Sequence, residues 1–196
     1  IWDSYYSNGG NTFDNSIYYR EGLTENFLGD WIKSRNFEKE IVVISKVGSA
    51  DTKPSEISEL LKISLDRLKL ESVDILILHH DNLNVPIGEF IDLFNNLIKF
   101  NLIKSFGISN VKIERLKDSI FWAKKNNKIN FQIVNNNLSL AKMNKPLWHD
   151  SVSSNNEEYL NFLNESQTHH FSWSSQARGF FIEENFLKRI FRRKFK

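Results

Sequence analysis

Residues 73–79 have the sequence Val-Asp-Ile-Leu-Ile-Leu-His, a short run of branched and apolar side chains that ends in a histidine. Such a run is typical of a strand that is buried on both faces, as in a parallel sheet. The segments that begin at Pro54 and Pro86 repeat apolar side chains every three or four residues. A proline at the start and this period predict a helix on each side of the strand. The chain is therefore expected to alternate helices and parallel strands.

The same alternation extends over most of the chain. Apolar runs of strand length predict six strands at Thr12–Phe13, Ile41–Ser45, Val73–Leu78, Ile103–Ile108, Phe131–Val134 and His170–Trp173. Helical patterns begin at Thr24, Pro54, Pro86, Ile113 and Glu157, and residues 142–156 are polar and loop-like. The strand spacing fits a (β/α)8 barrel, in which about 250 residues supply eight units. A doubly wound sheet is the alternative, but no Gly-x-Gly-x-x-Gly follows any predicted strand.

The composition is that of an ordinary globular protein. The 196 residues include 26 Lys and Arg against 24 Asp and Glu, so the overall charge gives no reason to expect a nucleic-acid or membrane partner. The absence of cysteine excludes disulfides, a thiolate nucleophile and cysteine-ligated zinc, and it fits a cytoplasmic protein. No apolar run approaches the ~20 residues of a membrane span, and the first residues do not resemble a signal peptide. We expect one domain over residues 1–196.

Polar side chains stand at the ends of three predicted strands. Asp14, Lys46 and His79 hold these positions, and Tyr19 follows Asp14 by five residues. A barrel gathers the C-terminal ends of its strands around one site. A tyrosine hydroxyl is ordinarily a weak acid at neutral pH, but a nearby ammonium group makes it a better proton donor. These four residue types therefore suffice to protonate a developing alkoxide. The alternative is that Asp14 and Lys46 form an ordinary ion pair and that Tyr19 is a packing residue.

The histidines of the chain divide into one candidate and four others. Alternation from Ile75 and Ile77 directs His79 to the interior of the barrel. His80 is then expected in the loop that follows, where it is solvated or lines the mouth of the site. The remaining histidines show no metal-ligand spacing, so no metal site is predicted; they are His149, His169 and His170.

Six stretches carry a further pattern when they are taken in order. They are Gly9-Gly-Asn-Thr-Phe-Asp14-Asn-Ser-Ile-Tyr-Tyr19, Ile44-Ser-Lys46, Ser64-Leu-Asp-Arg-Leu68, Val73-Asp-Ile-Leu-Ile-Leu-His79, Ile103-Lys-Ser-Phe-Gly-Ile-Ser109-Asn110 and Trp173-Ser-Ser-Gln-Ala-Arg-Gly179. The first resembles the Gly-x-Asn-x-Phe-Asp-Thr-Ala-x-x-Tyr motif of the aldo-keto reductase family, and the fifth resembles that family's Gly-Val-Ser-Asn segment. In order and spacing, the six together resemble this family over roughly residues 5–181.

The resemblance implies reversible hydride transfer between NADPH and a small-molecule carbonyl, with NADH not excluded. It implies that Tyr19 is the general acid, that Lys46 and Asp14 assist it, and that His79 orients the carbonyl. It also implies a set of cofactor contacts. These are Ser109, Asn110 and Asn135 at the nicotinamide amide, Trp173 stacked on the nicotinamide ring, and Ser174 and Gln176 along the pyrophosphate.

The chain departs from the family pattern in two motifs. Asn135 stands where the family usually has glutamine, and its side chain is one methylene shorter. Asn15-Ser16 replaces the Thr-Ala of the first motif. By the same comparison, the first and eighth strands and the loop that grips the adenosine phosphates are expected to be absent. The expected fold is therefore an incomplete TIM-type barrel with about six of eight βα units.

This incompleteness leaves two functional hypotheses open. The first is an active NADPH-dependent carbonyl reductase. The second is a non-catalytic remnant or a binding or regulatory subunit. Open sheet edges predict self-association. The basic, amphipathic residues 185–196 could form a membrane-surface helix, or they could be the altered end of the next barrel helix. The second reading is favoured because basic runs are usually solvated faces.

Overall fold

The computed structural model describes residues 1–181, and within them six strands form one parallel sheet in sequence order. The strands are β1 (Thr12–Asp14), β2 (Val42–Val47), β3 (Val73–Leu78), β4 (Ile103–Ser109), β5 (Ile133–Asn135) and β6 (His169–His170). The helices are α1 (Trp2–Ser7), α2 (Leu23–Arg35), α3 (Pro54–Leu68), α4 (Ile87–Lys99), α5 (Ile113–Lys125) and α6 (Glu157–Glu165). A helix joins each strand to the next, and the sheet curls into part of a (β/α) barrel. The predicted fold class is confirmed.

The two faces of the sheet are buried against different partners. Leu76 and Phe106 lie in the large apolar core between the strands and the helices. Ile44, Ile77 and Ile133 form a separate, smaller cluster with Ile75 and Phe171. Because successive side chains of a strand point to opposite faces, this second cluster lies on the inner, concave face of the sheet. A residue that continues the series of Ile75 and Ile77 therefore also faces inward.

Several element boundaries differ from the prediction. Strand β2 ends at Val47 rather than Ser45, so Lys46 belongs to the strand. Strand β6 has two residues, His169 and His170, and does not reach Trp173. Beyond β6 the backbone still follows its neighbour, because Trp173 N–H donates to Asn136 O at 3.2 Å. Asn137 and Trp173 form a parallel bridge, but it is isolated from the pairing of β5 with β6.

The start of α2 is also corrected. The sequence pattern places the start of this helix at Thr24, but the helix begins at Leu23 and its N-cap is Gly22, in the left-handed region at a φ of 87°. The Thr24 hydroxyl instead lies within hydrogen-bond distance of two acceptors, Asn15 Oδ1 at 2.7 Å and Tyr19 O at 3.1 Å. Thr24 therefore ties the helix to the segment that carries Tyr19.

The edges and the C-terminal tail bear on the remaining predictions. Within residues 1–181, β1 and β6 each pair with a single neighbouring strand, and self-association through these edges stays a prediction. The amphipathic segment 185–196 lies outside the described residues. Among the helices of the described part, none is long and apolar enough to cross a membrane.

Candidate active site

The C-terminal ends of the strands border a cleft of about 790 Å³. Nine of the ten predicted site residues line it: Asp14, Tyr19, Lys46, His79, Ser109, Asn110, Asn135, Trp173 and Ser174. The tenth, Gln176, is exposed next to a short 3-10 helix at Ala177–Gly179 and is not part of the lining. Its contact with a cofactor stays a prediction. No group of three or more His, Asp or Glu side chains within residues 1–181 could hold a metal ion.

The strand register explains why these residues meet. Lys46 on β2 pairs with Ile77 on β3, and His79 follows two residues later. Ser109 and Asn135 are direct partners at the ends of β4 and β5. Parallel strands with helical crossovers present all their C-terminal ends on one side of the sheet. Residues that are far apart in sequence are thereby gathered around the cleft.

Lys46 is buried among the four residues predicted to be catalytic. Only 1% of the residue is exposed, and its Nζ forms an ion pair with the carboxylate of Asp14. The same Nζ lies over the ring of Tyr19, 4.9 Å from the ring centre. A buried ammonium needs such a partner, because an unpaired charge in the interior is strongly unfavourable. The geometry thus places one cation between the carboxylate and the phenol.

Tyr19 is presented by a strained turn. The next two residues, Arg20 and Glu21, have φ values of 50° and 58°, and Gly22 has 87°. Left-handed conformations are uncommon for residues other than glycine, and they persist where surrounding contacts over-determine the backbone. One such contact comes from Arg67 on α3, whose Nη1 donates to the carbonyl of Ile17 at 3.3 Å.

A buried acid supports this turn from below. Glu25 is fully buried, and its Oε2 pairs with Arg67 Nη1 at 3.3 Å. Its Oε1 accepts a hydrogen bond from Ser45 Oγ at 3.5 Å, next to Lys46 on β2. Glu25 therefore links the turn that carries Tyr19 to the strand that carries Lys46. Glu25 is not among the predicted site residues, although a carboxylate on the same helical face as Leu28 is a signal that the sequence contains.

The neutral form of His79 is favoured in the folded protein. Its pKa is lowered from 6.5 to about 3, mainly by burial, with the neighbouring His80 and Lys46 acting in the same direction. The ring borders the cleft edge-on to Tyr19, with ring centres 6.0 Å apart. Its Nδ1 lies 3.1 Å from Ser16 Oγ. The inward direction of His79 agrees with the strand alternation.

The three residues predicted to bind the nicotinamide amide differ in which of their polar atoms lack a hydrogen-bond partner within the protein. Ser109 Oγ donates to the Asn135 carbonyl at 2.8 Å and accepts from Asn110 Nδ2 at 3.1 Å. Asn110 Oδ1 accepts from Val152 N–H at 3.2 Å, so both ends of that side chain are engaged. Asn135 Nδ2 donates to Phe171 O at 2.7 Å. Its Oδ1 has no partner among residues 1–181 and is not enclosed.

The outer rim of the cleft comes from the loop of residues 142–156, whose sequence indicates only that it is polar. Trp148 and Asp150 from this loop line the cleft together with Asp51. The rings of Trp148 and Trp173 are centred 5.7 Å apart, and His80 Nδ1 contacts the Asp150 carboxylate. No periodicity in the sequence marks these two loop residues, because tertiary packing alone brings the loop over the strand ends.

The fold, the cleft and the sequence together identify the class of this protein. The model of the aldo/keto reductase family matches residues 1–185, so the chain belongs to that family. Norsolorinic acid reductase B of Aspergillus parasiticus is 30% identical over 125 residues, which cover 56% of this chain and 32% of that protein. An uncharacterised oxidoreductase of Bacillus subtilis is 30% identical over 129 residues, covering 61% of this chain and 40% of the relative.

Solved structures give the same fold. An aldo-keto reductase from Klebsiella pneumoniae in complex with NADPH superimposes with a TM-score of 0.75 at 18% identity, covering 91% of this chain and 57% of the other. The holo form of an aldo-keto reductase from Bacillus halodurans has a TM-score of 0.72 at 25% identity, covering 95% and 59%. The chain thus spans between a third and three-fifths of the length of these relatives.

Proposed function

We propose that this protein reduces the carbonyl group of a small molecule with NADPH and that Tyr19 is the proton donor. The observation that carries the proposal is the position of the Lys46 ammonium, which pairs with Asp14 and lies 4.9 Å from the centre of the Tyr19 ring. All three residues line one cleft with His79. Membership of the aldo/keto reductase family supports the same chemistry.

A nicotinamide ring fits the residues at the strand ends. Trp173 offers an aromatic wall to the cleft, and Asn135 Oδ1 is an acceptor without a protein partner among the described residues. A carboxamide N–H would satisfy that oxygen, while the wall would hold the ring by stacking. Ser174 would lie further along the cofactor. A bound reduced nicotinamide cofactor supplies the hydride, and the protein supplies orientation and the proton.

The proton step follows from the charges around Tyr19. As hydride reaches the carbonyl carbon, negative charge develops on the carbonyl oxygen. The Tyr19 hydroxyl donates its proton to this oxygen, and the phenolate that results is stabilised by the Lys46 ammonium. Asp14 holds the ammonium in place through the ion pair. His79 adds no positive charge near neutral pH, because burial lowers its pKa to about 3.

The proposal is tested by comparing two adjacent tyrosines. Tyr19 lines the cleft and Tyr18 does not, although the two residues are similarly exposed, at 41% and 45%. Tyr19→Phe is expected to lower kcat/KM for carbonyl-dependent NADPH oxidation by about 100-fold or more, the usual contribution of a general acid. Tyr18→Phe is expected to retain activity. NADPH binding, measured by the quenching of tryptophan fluorescence, should be retained in both variants.

The same experiment decides between catalysis and a non-catalytic role. NADPH binding without turnover of any aldehyde or ketone would leave a cofactor-binding subunit as the function. No NADPH binding at all would overturn the proposal together with the cofactor assignment. Equal losses in Tyr19→Phe and Tyr18→Phe would remove Tyr19 as the proton donor.

A further inference from the structure

Ser16 makes an unusual set of contacts beneath the cleft. This serine is fully buried and stands where the family motif quoted above has alanine. Its Oγ lies 3.1 Å from His79 Nδ1, 3.2 Å from the Lys46 carbonyl oxygen and 3.3 Å from the Tyr18 backbone nitrogen. A hydroxyl group has one proton to donate and two lone pairs. All three contacts must therefore be met with one donor and two acceptor sites.

The partners determine the direction of each bond. The Tyr18 N–H can only donate, so Ser16 Oγ accepts from it. The Lys46 carbonyl oxygen has two lone pairs and can only accept: one lone pair takes the Ile17 N–H at 3.1 Å, and Ser16 Oγ gives its hydroxyl proton to the other. The contact with His79 Nδ1 is then a hydrogen bond only if Nδ1 carries a proton. The opposite arrangement would leave two oxygen lone pairs facing each other at 3.2 Å inside the protein.

The other ring nitrogen of His79 follows from the first. A neutral imidazole has one protonated nitrogen, so a proton on Nδ1 leaves a lone pair on Nε2. Nε2 has no hydrogen-bond partner within residues 1–181 and is not among the enclosed polar atoms. The ring itself lines the cleft beside Tyr19. His79 Nε2 therefore provides a hydrogen-bond acceptor in the cleft, next to the proposed proton donor Tyr19.

We infer that Ser16 fixes His79 as the Nδ1–H tautomer and that His79 Nε2 accepts a hydrogen bond from the substrate. Tyr19 alone then donates to the carbonyl oxygen. His79 Nε2 favours substrates that carry a hydrogen-bond donor on the carbon next to the carbonyl. The substrate class that fits is a carbonyl compound with an adjacent hydroxyl. The statement about substrates rests on the proposed function, whereas the statement about the tautomer does not.

The tautomer is measured directly by nitrogen NMR on the full chain with 15N-labelled histidine. The ring signals of His79 are assigned by their loss in His79→Gln. The expected result is a protonated Nδ1 in the unchanged protein. In Ser16→Ala, this preference should be lost in favour of a mixture or of the Nε2–H form. Ser64→Ala is the matched control, because Ser64 is buried but its Oγ has no hydrogen-bond partner among the described residues.

The substrate class is measured with the pair hydroxyacetone and methoxyacetone, in which a methyl group replaces the hydroxyl hydrogen and so removes the hydrogen-bond donor. The unchanged protein and Ser64→Ala should show a KM for hydroxyacetone lower by about tenfold, the effect of one hydrogen bond. In Ser16→Ala the two KM values should converge while NADPH binding stays the same.

Each outcome has a separate meaning. A protonated Nε2 in the unchanged protein overturns the tautomer and, with it, the substrate preference. Turnover with equal KM values for the two ketones overturns the substrate preference alone. No turnover with either ketone or any other carbonyl overturns the proposed function, and the NMR measurement still decides the tautomer.

Discussion

Glu25 Oε2 and Arg67 Nη1 lie 3.3 Å apart directly below the turn that carries Tyr19. The carboxylate is fully buried, whereas the arginine side chain is 30% exposed. Arg67 also donates to the Ile17 carbonyl, so the ion pair holds the backbone from which the turn starts. The ion pair is important for the stability of the protein because the acid is buried. Removal of Arg67 would leave the Glu25 carboxylate without a compensating charge.

Replacement of Arg67 should therefore destabilise the protein strongly. Arg67→Met leaves the Glu25 carboxylate buried and unpaired, and the free energy of unfolding should fall by about 3–5 kcal/mol. Arg35→Met is the control, since the side chains of Arg35 and Asp3 are 43% and 62% exposed. Exposed pairs contribute about 1 kcal/mol or less. Urea unfolding of both variants checks the difference, and similar losses would contradict the structural role of Glu25.

Gly22 should tolerate a methyl group less well than Gly9. Both glycines have left-handed φ values, 87° and 88°. A Cβ on Gly22 would lie 2.1 Å from Arg67 Nη1, whereas a Cβ on Gly9 would meet nothing within 4 Å. Gly9→Ala should cost about 1 kcal/mol for the backbone conformation alone. Gly22→Ala should cost more and should also reduce carbonyl reduction, because Arg67 must shift away from the Tyr19 turn.

Thermal unfolding and turnover measured on the same two proteins test this point. Equal stability of Gly22→Ala and Gly9→Ala would show that Arg67 moves aside at no cost. Retained turnover in Gly22→Ala would show that the turn does not depend on this contact.

The sequence predicts which side chains face the inside of the sheet better than it predicts the residues that surround and hold the site. Alternation along β3 places His79 correctly, because the period of a strand is a local property. The position of Trp148 could not be predicted, since its loop has no period and is held by tertiary contacts. The boundary at β6 also escaped prediction, because a two-residue strand has too few residues for a pattern. Glu25 was missed because an acidic residue on an apolar helical face was not treated as a signal.

Removal of the Lys46 charge should lower the rate of catalysis without preventing cofactor binding. In Lys46→Met, the Asp14 side chain loses its partner but is 47% exposed, so water can solvate it. The expected result is a loss of about 100-fold or more in kcat with NADPH binding retained. Lys104→Met is the control, because Lys104 pairs with Asp74 at a side-chain exposure of 74%, away from the cleft.

Steady-state kinetics and tryptophan quenching supply both measurements. A Lys46→Met protein that turns over at the unchanged rate would remove the ammonium from the proton step. Loss of NADPH binding in that variant would instead assign Lys46 to cofactor binding.

The burial of His79 should make the stability of the protein depend on pH. Its pKa is lowered from 6.5 to about 3 in the folded state. Below pH 6.5 the unfolded chain therefore binds a proton that the folded chain does not, so the free energy of unfolding falls as the pH falls. The slope from this one group approaches about 1.4 kcal/mol per pH unit and vanishes below about pH 3. Above pH 6.5 both states are neutral at this residue and no dependence is expected.

His79→Gln isolates this contribution from that of other groups, including His170, whose pKa burial also lowers. The free energy of unfolding of the unchanged protein minus that of His79→Gln should decrease steadily as urea unfolding is repeated from pH 6.5 downward. His149→Gln, at an exposed position in the loop of residues 142–156, is the matched control for the removal of a histidine. Parallel curves for the unchanged protein and His79→Gln would mean that His79 takes up a proton in the folded state as readily as in the unfolded one. A neutral His79 at the pH of catalysis would then lose its support.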